Sequence, residues 1–222
     1  MFRDAVLVAG KDLKIEWRSK VGIGQIVPFA LVILLLFGFA LDPDRELLSR
    51  AAPGLFWIGV LLSTLLAVQR SFAIEATDGT YESLRSSGLD PAGIFFGKAA
   101  AIAAQLVVLE VVLALGVIVL YDVQVTAAVI LLCTFVLATI GLAAAGTIYG
   151  VFTTGGRGRE TLLPLLFLPV VAPVLLAAAR ATESALDQAG ENGWPWVQLL
   201  AVFAVLYSAI GTVAFGPLLE DA

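Results

Sequence analysis

Apolar runs, each close to the ~20 residues needed to cross a bilayer as a helix, alternate with short polar stretches along the chain. Six such spans are predicted, at about 21–41, 52–73, 91–120, 125–152, 161–179 and 194–216. The expected fold class is an all-α membrane protein, one transmembrane domain over residues 1–222. Ahead of the first span, Phe2, Val6, Ala9, Leu13 and Trp17 fall within roughly an 80° arc at ~100° per residue. Asp4, Lys11, Lys14 and Arg18 occupy the opposite side. This pattern predicts an N-terminal amphipathic helix over residues 1–20, lying in the membrane interface or packed on the protein's own cytoplasmic end.

Punctuation between the runs refines the boundaries. DPDRELLSR is expected to be a loop after the first span, and ARATESALDQAGENG a loop after the fifth. Asp90-Pro91 has the form of an N-cap followed by proline at the first helical position. Pro164, Pro169 and Pro173 each remove a backbone donor, which predicts a kinked fifth span. Trp194 and Trp196 suit an interfacial anchor at the start of the sixth. Gly93-x3-Gly97 and Gly146-x3-Gly150 have the spacing that lets helices approach closely.

Composition agrees, with 60% hydrophobic and 14% charged residues, against about 25% charged in soluble domains. Of the 13 Lys and Arg residues, only Arg45, Arg50 and Arg180 fall outside the N-terminus, the 74–90 region with its flanks, and the fourth connection. The positive-inside rule therefore places both termini in the cytosol. A net charge of −5 spread over short loops makes nucleic acid an improbable partner. The absence of histidine, with Met1 the sole methionine, removes His-based acid–base chemistry, the usual zinc sites and His or Met ligation of haem. Cys133, inside an apolar run, reads as a small buried hydrophobe. Neither catalytic nor metal-ligating residues are identified, and the chain is expected not to be an enzyme.

Glu110 is the one acid deep inside a predicted span. A carboxyl at that depth costs a few kcal/mol and marks either a functional pathway or an interhelical pair. Tyr121-Asp122 matches half of the intramembrane aspartyl protease pair, but the Gly-x-Gly-Asp half is missing. GIFFGKA lacks the spacing and the hydroxyl of a P-loop, so any ATP would have to be handled by another polypeptide.

Residues 74–90 form the long polar interruption on the cytoplasmic side. Asp78-Gly79 is a turn signal, Thr80 an N-cap candidate, Glu82 suits a first turn and Gly88 a helix end. A helix of about two turns over Tyr81–Ser87 follows, exposing Tyr81, Leu84 and Arg85. Taken alone, the segment is also compatible with a plain connecting loop.

The order of parts resembles ABC exporter permeases that have an interfacial helix, six spans and a coupling helix between spans two and three. More specifically, the chain resembles the CcmB family (haem exporter protein B). The likeness is densest at RAAPGLFWIGVLLSTLLAVQRSF, DGTYESL, LDPAGIFFGKAA and LLPLLFLPVVAPVLL. It departs at Gln69, where an acid often precedes the arginine, and in the Gly-rich fourth connection.

The resemblance implies a homodimer in the plasma (inner) membrane, bound to two copies of a CcmA-like ATPase subunit, with other haem-handling maturation proteins nearby. It implies haem as substrate, or ATP-driven release of a haem chaperone, in cytochrome c-type biogenesis. The expected ATPase-coupling residues are Glu75, Asp78, Gly79, Thr80, Tyr81, Glu82, Leu84 and Arg85. The competing readings are a passive scaffold for the maturation proteins and an ABC permease for another lipid or drug.

Overall fold

A computed structural model describes residues 1–19, 21–40, 45–77, 88–121, 123–151, 162–186 and 192–221. The described residues form seven helices and no strand. They are α1 (Phe2–Ser19), α2 (Val21–Ala40), α3 (Arg45–Thr77), α4 (Pro91–Tyr121), α5 (Ala128–Gly150), α6 (Leu162–Ala185) and α7 (Trp194–Asp221). Five stretches, Leu47–Ala73, Pro91–Tyr121, Ala128–Gly150, Pro164–Ala185 and Trp194–Leu219, are long and apolar enough to cross a membrane.

Two expected loops are partly helical. Arg45–Arg50 opens α3 and Arg180–Ala185 closes α6. Arg, Glu, Leu and Ala are good helix formers, and loss of hydrophobicity at the membrane edge does not interrupt the backbone hydrogen bonds. The start of α4 follows its local chemistry. The Ala92 N–H donates to Asp90 Oδ1 at 3.0 Å, and the Ile94 N–H to the Asp90 carbonyl at 3.0 Å.

At the centre of the bundle, α4 packs against α1, α2, α3, α5 and α7. Two glycine pairs let neighbouring helices approach closely. A Cβ on Gly146 would stand 2.6 Å from Val68 Cγ2, and one on Gly150 would meet the Phe72 ring. Val68 and Phe72 are one helical turn apart, so this face of α3 seats directly against the α5 backbone. The second pair, Gly93 and Gly97, receives α1. A Cβ on Gly93 would lie 2.9 Å from Asp4 Cβ, and one on Gly97 2.6 Å from Val8 Cβ.

Aromatic and hydroxyl contacts close the other end. Phe56 stacks on Phe135 with centroids 5.0 Å apart. The Trp57 Nε1–H donates to Thr182 Oγ1 at 3.0 Å. Pro169 and Pro173 lie inside α6, whereas Pro164 falls in its first turn, where a missing N–H breaks no intrahelical bond. Pro164 therefore has no reason to kink the helix. The Tyr207 hydroxyl donates to the Val170 carbonyl at 2.7 Å, tying α7 to the turn of α6 between the two interior prolines.

Candidate functional site

Of the expected coupling residues, Asp78, Gly79, Thr80, Tyr81, Glu82, Leu84 and Arg85 lie outside the described residues, as does the expected Tyr81–Ser87 helix. Glu75 belongs to the last turns of α3, not to a loop. Past the gap, Gly88 takes φ +67°, the left-handed conformation that glycine supplies at helix ends.

The helices on either side of that connection are tied together by α1. Lys98, in the second turn of α4, is only 1% exposed. Its Nζ lies 3.4 Å from Asp12 Oδ2, 3.5 Å from Ser71 Oγ and 4.5 Å from the centroid of the Phe72 ring. Arg70 of α3 places Nε 3.1 Å from Glu16 Oε2, and Glu16 is itself buried.

Asp12 and Glu16 stand one turn apart on α1, so a single helical face delivers both carboxylates. One engages α4 and the other α3. Burying a charge is costly unless it is paired, and here a short N-terminal helix supplies an ion-pair partner to each of two bases. Sequence reading uses Lys98 and Arg70 for membrane orientation and in the family likeness, and Lys98 in excluding a P-loop, but pairs neither with an acid and singles out neither Asp12 nor Glu16. The available signal was the i, i+4 acid pair on the same face as Val8.

The apolar stripe of α1 does not make this contact. Phe2, Val6, Leu13 and Trp17 are exposed, Trp17 by 76%, while Val8 is buried on Gly97. The amphipathic helix thus packs through its acidic flank and leaves its hydrophobic face outward.

Deeper in the bundle, Glu110 is 3% exposed and accepts a hydrogen bond from Thr139 Oγ1 of α5 at 2.7 Å. The carboxyl therefore bridges α4 to α5. Tyr121 is also held structurally, its hydroxyl donating to the Leu34 carbonyl of α2 at 2.7 Å, and Asp122 lies outside the described residues. An apolar cavity of about 40 Å³ lies between Phe56, Phe135, Val117 and Leu186. It is far too small for a porphyrin.

Five long apolar helices among the described residues, with paired charges tying α1 to α3 and α4, define a helical membrane protein. The sequence profile described as CcmB protein matches residues 3–221, and the chain belongs to that family. Heme exporter protein B of Paracoccus denitrificans (strain Pd 1222) is 32% identical over 210 residues, covering 93% of this chain and 92% of the relative. The protein of the same name from Haemophilus influenzae is also 32% identical, over 93% and 90% of the two chains. That from Rhodobacter capsulatus is 31% identical over 96% and 94%.

Proposed function

We propose that the chain is the transmembrane permease subunit of an ABC transporter complex required for c-type cytochrome biogenesis. The observation that carries this reading is the family match running almost end to end. In this reading α2 is the first of six spans and both termini are cytosolic. A dimer of the chain binds two CcmA-like ATPase subunits. Haem, or the release of a haem chaperone, is the work the complex performs, and the name of the relatives, heme exporter protein B, supports haem export.

The mechanism is mechanical. Residues 78–87 join the inner ends of α3 and α4, so a nucleotide-driven push there bears on both helices at once. The Asp12–Lys98 and Glu16–Arg70 pairs oblige α1 to follow. The Gly146/Gly150 seat then passes displacement of α3 to α5. Glu110, bonded to Thr139, holds α4 and α5 in register during the motion.

Leu84→Asp tests the reading. The variant is expected to reach the membrane at normal levels, lose co-purification of the ATPase and abolish c-type cytochrome assembly. Normal assembly with the ATPase still bound would overturn it.

A further inference from the structure

α1 has three faces, of which the bundle uses one. At ~100° per residue, the side packed on α3 and α4 (Asp4, Ala5, Val8, Asp12 and Glu16) centres near roughly 100° on the helical wheel. The apolar side chains Phe2, Val6, Leu13 and Trp17 centre near roughly 220°, and Arg3, Lys14 and Arg18 near roughly 340°. Phe2 and Trp17 are 85% and 76% exposed, and Arg3, Lys14 and Arg18 are exposed too.

The spacing of these sectors constrains how the helix can sit. With one sector fixed against the protein, the apolar sector can enter the hydrocarbon boundary. The basic sector then lies about a third of a turn away, level with the headgroups, where long Arg and Lys stems reach phosphate. A zwitterionic surface satisfies the apolar sector alone. Three bases without an acid among them call for net negative charge.

We propose that the outer face of α1 is a docking surface for anionic phospholipid headgroups, held by Arg3, Lys14 and Arg18 with Phe2, Val6, Leu13 and Trp17 as the apolar footing. Lipid held there bears on the same helix that supplies Asp12 to Lys98 and Glu16 to Arg70. The proposal does not depend on the function proposed above, because it concerns this chain and the bilayer only.

The test uses the full chain alone, reconstituted in phosphatidylcholine vesicles with trace spin-labelled phosphatidylglycerol or phosphatidylcholine, without nucleotide or a second protein. The motionally restricted fraction of each label gives relative association. Phosphatidylglycerol is expected to be preferred several-fold, less so at high salt, with the preference falling stepwise as each base is removed. The variant Arg3→Gln/Lys14→Gln/Arg18→Gln should associate equally with both lipids, while Arg3→Lys/Arg18→Lys keeps the preference and shows that folding is intact. Equal association in the unaltered chain overturns the proposal. So does a preference surviving in the triple Gln variant, which would place the anionic site elsewhere, or loss of preference in the charge-conserving variant.

Discussion

Replacing Asp12 and replacing Lys98 remove the same ion pair, yet the structure predicts unequal costs. Lys98 is 1% exposed, and Asp12→Asn removes a carboxylate 3.4 Å from an ammonium that also faces the Ser71 hydroxyl and the Phe72 ring. Removing one member of a buried pair costs about 3–5 kcal/mol, of which an aromatic face returns about 1–2. Asp12→Asn is therefore expected to destabilise by roughly 2–3 kcal/mol.

Lys98→Met keeps the length and bulk of the side chain, and Asp12 retains the Lys11 ammonium at 3.0 Å. Its cost is expected to stay below about 1 kcal/mol. The double variant should match Lys98→Met, with a coupling energy of about 2 kcal/mol. Thermal unfolding of the purified protein in detergent, followed by loss of monodisperse protein, gives the comparison. At ~2–4 °C per kcal/mol for a chain of this size, Asp12→Asn should fall by roughly 5–10 °C and the other two by about 3 °C or less. Equal losses in the two single variants, or additive losses in the double, would refute the reasoning.

Glycine substitutions should sort by what faces them. Gly97→Ala and Gly150→Ala force α1 and Phe72 out of place and should each cost about 1–3 kcal/mol, whereas Gly54→Ala, with nothing within 4 Å, should leave the melting temperature unchanged or raised. Glu110→Gln keeps an acceptor for Thr139 and should preserve both stability and cytochrome assembly. Glu110→Ala loses that bond and opens a cavity, so it should lower the melting temperature in the same detergent assay. Tyr207→Phe removes the donor to the Val170 carbonyl and should cost about 1 kcal/mol, read by the same unfolding measurement.

Hydropathy made the five long apolar helices and the order of elements legible, because membrane crossing is a property of local sequence. It placed the ends of α3 and α6 less well, since polar residues such as Glu46 and Arg180 leave the bilayer without leaving the helix. The Asp90 cap was readable for the same local reason that makes it work. The Asp12–Lys98 contact was not, because 86 residues separate its members and no periodicity links them. The glycine pairs were visible as spacings, but their partners Val8, Val68 and Phe72 became apparent only once the helices were assembled.

The length of α3 has a consequence for its reach. Its 33 residues, at ~1.5 Å each, span about 50 Å, and a tilt of ~20° shortens that to about 47 Å. A bilayer with its headgroups is only about 40–45 Å thick. At that tilt the helix exceeds the membrane by only about 2–7 Å, roughly one turn shared between its two ends, so a single element reaches from one headgroup layer to the other.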